Sequence, residues 1–211
     1  MNKVLVIAPH PDDEVLGCGG TISKLVSEGN EVFLCIVTKA HEPDWSLSYI
    51  NKKQEEIEES GRILGIKEIF PLDFPTVMLD TFPQKEINLA LSKLISGINP
   101  HTVFIPSKYD LHKDHRVIFE SSLVVTRPHE SSVKRLLSYE TLSETEYGSP
   151  IGIFEPNVYV NISNHIGKKM EAMNAYSSEI KPSPHPRSIE GIKALASKRG
   201  SESGVEFAEA F

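Results

Sequence analysis

The chain has 211 residues, 39% of them apolar and 24% charged, enough to bury one sizeable core and ordinary for a soluble domain. Twenty-two Lys and Arg against twenty-nine Asp and Glu leave a net charge of −7, which argues against a surface built to grip nucleic-acid phosphates. No run approaches the roughly 20 apolar residues of a membrane span. Cys18 and Cys35 are the only cysteines and lack the spacing of a metal-binding pair; they read as free thiols in a reducing cytoplasm.

Met1-Asn2-Lys3 and the apolar Val4–Ala8 lack the length and cleavage site of a secretory signal, and Pro9 ends them abruptly. Val4–Ala8 is therefore predicted as a first strand. Further strands are predicted at Val32–Val37, Glu68–Pro71 and Thr102–Ile105, with helices at Gly20–Glu28, Ile50–Leu64 and Gln84–Ile98 between them. Gly29-Asn30 and Gly65 stand where helix C-terminal punctuation belongs. Apolar strands without strict alternation, each followed by an amphipathic helix, predict βαβ units and a parallel α/β sheet covered on both faces.

After a helix near His115–Val125 the pattern changes. Arg135–Leu142 and Asn157–Ile162 read as strands, Lys168–Tyr176 and Ile189–Lys198 as helices. The Pro-rich Lys181–Pro186 between those helices cannot be helical. Too little chain follows it to fold alone, so residues 1–211 are expected to form one domain with a small C-terminal extension. Glu55, Glu56, Glu58 and Glu59, with Lys52 and Lys53, read as a solvated helix face.

Two clusters carry chemistry. His10-Pro11-Asp12-Asp13-Glu14 directly follows the first strand, and Asp110-Leu111-His112-Lys113-Asp114-His115 follows the strand at Thr102–Ile105. In an open parallel sheet, ligands bind outside the carboxyl ends of strands where the strand order reverses. If these two strands are neighbours, the clusters meet across one crevice. Two His and one carboxylate are a common ligand set for catalytic zinc, with the fourth position left to water. His10 and Asp13 are three apart, and so are His112 and His115, which would share a helix face. Only one of the latter two need bind the metal.

Ala8-Pro9-His10-Pro11-Asp12-Asp13-Glu14, with Gly17-Cys18-Gly19-Gly20-Thr21 behind it, resembles the signature of the PIG-L/LmbE zinc-dependent N-acetylglucosaminide deacetylases. His112-x-Asp114-His115 resembles that family's second motif. Glu56…Leu64-Gly65 resembles its helix after the second strand, and Gly200…Gly204…Phe207–Phe211 its tail. The resemblance implies a Rossmann-like fold and one zinc ion per chain, held by His10, Asp13 and His115; Fe2+, Co2+ or Mn2+ suits the same ligands. It implies Asp12 as the general base that activates metal-bound water. His112 would stabilise the oxyanion, and Asp114 would orient His112 and favour its charged form. It further implies an N-acetylated amino-sugar substrate and a homo-oligomer.

Candidate substrate-binding residues are Lys53, Asp110, His185 and Arg187. Lys53 stands where many members of that family place an Arg three before the helix glutamate, which loses the planar fork. Asp110 either binds substrate hydroxyls or caps the following turn. His185 and Arg187, in and after the Pro-rich loop, are expected to close over the site. Trp45 either stacks on a sugar ring or packs on the surface. The glycines fail the dinucleotide pattern, since Ile22 stands at the last required Gly, and are expected to let the first helix pack closely. Two alternatives use the same residues: a catalytically silent carbohydrate-binding protein and a 2-His-1-carboxylate iron enzyme, the latter usually an all-β barrel.

Overall fold

The computed structural model describes residues 1–211. Five strands, β1 (Lys3–Ala8), β2 (Glu31–Lys39), β3 (Glu68–Pro75), β4 (Thr102–Pro106) and β5 (Arg135–Tyr139), pair in the order β3-β2-β1-β4-β5. Every pairing is parallel. Helices α1 (Asp13–Ser27), α2 (Leu47–Leu64), α3 (Gln84–Ile98) and α4 (Lys113–Val125) supply the crossovers. Beyond β5, α5 (Ile166–Ala175) and α6 (Ile189–Ser203) accompany a small antiparallel ribbon of β6 (Tyr159–Asn161) and β7 (Ala208–Ala210).

Alternate residues of each strand enter opposite cores. Val4, Val6 and Ala8 pack with Val32, Leu34 and Ile36 under Ile22 of α1, Leu64 of α2, Met173 of α5 and Ile192 of α6. Leu5, Ile7, Phe33, Cys35 and Val37 face the other way, under Ile87 and Leu91 of α3 and Ile118 of α4. Burial on both faces is why these strands lack polar alternation. The mostly parallel α/β architecture anticipated from the sequence is the one observed. Burial also pushes both cysteine thiols upward in pKa, so they stay protonated and inert.

Element ends differ from expectation at several places. The strand expected over Arg135–Leu142 stops at Tyr139, and that over Asn157–Ile162 shrinks to three residues. The first helix begins at Asp13, not Gly20. Gly17, Gly19 and Gly20 lower intrinsic helix propensity, but tertiary packing overrides it. A Cβ on Gly17 would lie 2.2 Å from the Tyr139 ring, and one on Gly20 2.7 Å from Ile162 Cδ1. The close approach expected of the glycines is thus realised.

The helix also breaks at Cys18 (φ −146°, ψ 22°), which leaves amides without helical partners. Gly20 and Thr21 donate their N–H groups to Glu209 of β7 at 2.9 and 2.7 Å. Lys169 of α5 donates to the Leu16 carbonyl at 2.8 Å and to Glu209 at 2.6 Å. The C-terminal ribbon therefore caps the second half of the helix that begins in the His10–Glu14 motif. Lys169 and Glu209 side chains are each only 4% exposed. Glu209→Ala strands a buried ammonium and uncaps two amides, so a loss of about 3–5 kcal/mol is expected in urea unfolding. A loss under about 1 kcal/mol would show that this pairing does not hold the helix.

Candidate active site

β1 and β4 are adjacent, in the register Val4–Thr102, Leu5–Val103 and Val6–Phe104. From β1 the chain crosses to β2 on one side, and from β4 to β5 on the other, so the strand order reverses between them. Both motifs leave the carboxyl ends of these two strands, where such a reversal opens a crevice.

Three donor atoms converge there. His10 Nδ1 lies 3.2 Å from His115 Nε2, and Asp13 Oδ2 lies 3.2 Å from His115 Nε2 and 3.5 Å from His10 Nδ1. Ligand atoms bound tetrahedrally at about 2.0–2.1 Å sit about 3.3–3.4 Å apart, so the trio has the span of a divalent ion's coordination edge. The outer ring nitrogens are held as metal-ligating imidazoles usually are. His115 Nδ1 meets Asp110 Oδ2 at 2.7 Å, and His10 Nε2 meets Asp114 Oδ2 at 3.1 Å. A second trio, His10, His112 and Asp114, also clusters. Part of this second set is engaged elsewhere: Asp114 accepts the Val77 and Leu79 amides at 2.7 and 3.1 Å, and His112 Nδ1 accepts the Asp114 amide at 3.1 Å.

These contacts correct two expectations. The Asp114 carboxylate does not orient His112 but faces His10 at 3.1 Å; it is the Asp114 backbone amide that holds the His112 ring, at 3.1 Å. Asp110 does not line the cleft. It is fully buried, backing His115 and accepting the Thr145 hydroxyl at 2.5 Å. Nor is His112 charged: burial and the His10 and His115 imidazoles lower its pKa to about 4. With Nδ1 accepting an amide, the neutral ring carries its hydrogen on Nε2.

The carboxylates divide in character. Burial resists ionisation of Asp13, but His115 and His10 hold its carboxyl far below the usual range. Burial and the Asp13 charge push Asp12 well above it. Asp12 stands at the start of α1 with φ 111°, a strained value for a non-glycine residue; its side chain makes no capping hydrogen bond, and its amide donates to Glu14 Oε2 at 3.2 Å. Glu14 is fully buried, takes the Tyr176 hydroxyl at 2.7 Å, and is pushed up to about 7 by that burial. Val77, whose amide grips Asp114, is a second strained residue, β-branched at φ 64°.

A cleft of about 270 Å³ opens over the trio, walled by Trp45, Tyr49, Lys53, Glu144, Glu179 and Arg187 among others. A larger cavity, about 530 Å³, lies alongside between α2 and β3 and shares Pro11, Thr38, Ala40 and Lys53, but none of the clustered imidazoles. Lys53, Arg187 and Trp45 line the cleft. His185 does not; its Nδ1 accepts the Arg187 amide at 3.0 Å within its own turn. Tyr49, Glu144, Thr145 and Glu179 were not singled out from sequence, and no motif or spacing marks them.

The fold and the cluster together define an open parallel α/β sheet bearing a three-donor His/Asp site of the kind that holds a catalytic divalent ion. Residues 5–125 match the PIG-L family model, described as GlcNAc-PI de-N-acetylase, and the chain belongs to that family. The activity class that follows is hydrolysis of an N-acetyl amide. Diacetylchitobiose deacetylase of Thermococcus kodakarensis is 28% identical, the match covering 99% of this chain and 82% of that protein. A probable N-acetyl-alpha-D-glucosaminyl L-malate deacetylase 2 of Bacillus anthracis is 26% identical over 83% of this chain and 80% of its own. The crystal structure of a conserved protein from Thermus thermophilus superposes with a TM-score of 0.82 at 29% identity, covering all of this chain and 94% of that one.

Backing of His115 by Asp110 makes a specific expectation. Asp110→Ala should weaken divalent-ion affinity about 10–100-fold in chelator competition, with KM for substrate little changed. A raised KM with unaltered ion affinity would return Asp110 to substrate binding.

Proposed function

We propose that the protein is a zinc-dependent hydrolase that removes the acetyl group from an N-acetylglucosamine-type amino sugar or its glycoconjugate. One observation carries the reading: His10, Asp13 and His115 converge while Asp12, adjacent in sequence, lines the same cleft without joining them. Zinc suits two imidazoles and a carboxylate, although Fe2+, Co2+ and Mn2+ share that ligand preference. The relatives' activities on N-acetylated sugars support the substrate class.

Bound by that trio, the ion would lower the pKa of a coordinated water to about 7 and polarise the acetyl carbonyl. Asp12 takes the proton from the attacking water. Its elevated pKa makes it a stronger base than an ordinary carboxylate, and then a competent acid toward the departing amine. His112 directs its Nε2–H at the developing oxyanion as a neutral donor. Asp110 and Asp114 fix the two ligand imidazoles, and Arg187 Nη1, 3.4 Å from Asp12 Oδ2, steers the base.

The reading takes residues 1–211 as one domain, because the two cores lie on opposite faces of one sheet. It takes the enzyme as a cytoplasmic homo-oligomer. Buried free thiols suit a reducing compartment, and exposed Val77, Met78 and Leu111 flank the second motif where a neighbouring copy would cover them. No helix is long and apolar enough to cross a membrane.

Acetate release from N-acetylglucosamine conjugates should need the bound ion, vanish with a chelator and return with zinc. Asp12→Ala should keep stoichiometric zinc and lose about 10²–10⁴-fold in turnover. Loss of zinc in Asp12→Ala but not in Asp13→Ala would reverse the assignment of base and ligand. His112→Ala should keep the ion and lose about 10²–10³-fold in kcat; an unaltered rate removes it from the mechanism.

A further inference from the structure

The cations of the cleft are already spoken for. Lys53 has three N–H donors and three acceptors: Ser178 Oγ at 2.6 Å, Glu179 Oε1 at 2.6 Å and Glu56 Oε2 at 3.0 Å. Arg187 Nη1 lies 3.0 Å from Glu179 Oε2 and 3.4 Å from Asp12 Oδ2. Glu179 thus bridges both cations, and it also accepts the Tyr49 hydroxyl at 3.2 Å. Ser177 and Ser178 clamp Glu56 from the same loop at 2.8–3.0 Å, so the network is built by docking residues 177–187 on α2. Lys53 and Glu179 side chains are only 10% and 17% exposed, which limits solvent screening of their charges.

The opposite wall adds no compensating charge. It consists of Thr141, Leu142, Ser143 and Glu144, whose carboxylate accepts the His112 amide at 3.0 Å. Apart from the metal trio and His112, the polar lining therefore offers carboxylates, hydroxyls and the aromatic faces of Trp45 and Tyr49, with both cations ion-paired. A sugar hydroxyl can donate a hydrogen bond to a carboxylate of the lining, which an anionic group cannot. A carboxylate or phosphate on the aglycone meets Glu179 and Glu144 and finds no unpaired cation.

We infer that this cleft selects N-acetylated amino sugars with an uncharged aglycone, such as a second sugar, over those bearing an anionic one, and that Glu179 sets the preference. The inference rests on the deacetylase reading and narrows its substrate. Its test is acetate release by the zinc-loaded enzyme from neutral N,N′-diacetylchitobiose and from anionic N-acetylglucosaminyl L-malate. The neutral glycoside should lead by at least about tenfold in kcat/KM, a gap of about 1.4 kcal/mol. Glu179→Gln should narrow that ratio at least about threefold. Equal or better use of the malate glycoside overturns the selectivity while leaving the deacetylase reading intact. A ratio that Glu179→Gln does not alter overturns its electrostatic origin. Acetate from neither glycoside overturns the deacetylase reading and the selectivity together.

Discussion

Parallel hydrogen bonding between β1 and β4 brings His10 and His115, 105 residues apart in sequence, to within 3.2 Å. Everything chemical in the molecule follows from that adjacency. The crevice it opens gathers Asp12, Asp13, Glu14, Asp110 and Asp114, all buried. Such a density of carboxylates is costly unless each has a partner. Here the imidazoles of His10 and His115, the amides of Asp12, Val77 and Leu79, and the hydroxyls of Thr145 and Tyr176 supply those partners. Of these five, Asp12 alone both lines the cleft and has a raised pKa, and the strained backbone beneath it is held by Glu14.

The floor of the site was legible in the sequence because residue type and spacing carry it. Two imidazole–carboxylate motifs after two apolar strands leave few structural reasons for their presence. The partners behind that floor were less legible. Spacing alone does not say whether Asp110 turns toward a ring or toward solvent, or which imidazole the Asp114 carboxylate faces. The start of α1 was missed because glycine propensity is local, while the Tyr139 and Ile162 side chains that make small residues necessary are distant in sequence.

The upper wall was invisible for a different reason. Glu179 and Tyr49 gain their roles only when residues 177–187 fold back on α2, and nothing within either segment signals the meeting. Lys53 illustrates the contrast: its position could be read from the helix, but not that its three hydrogens are all engaged. Catalytic groups are fixed by short motifs near strand ends, and substrate discrimination by long-range packing of a loop. A family can therefore keep its reaction while its members diverge in what they accept.

The cap that Glu209 places on the broken α1 bears on how the protein comes into being. A nascent chain that has emerged through His115 already owns all three metal-type donors and both strands beneath them. It still lacks Tyr139 to seat Gly17 and the Lys169–Glu209 pair to hold the helix break. The motif at the beginning is thus completed by residues synthesised almost two hundred positions later, from Asp13 to Glu209. Until translation delivers them the break in α1 lacks its cap and Gly17 lacks the ring it packs against.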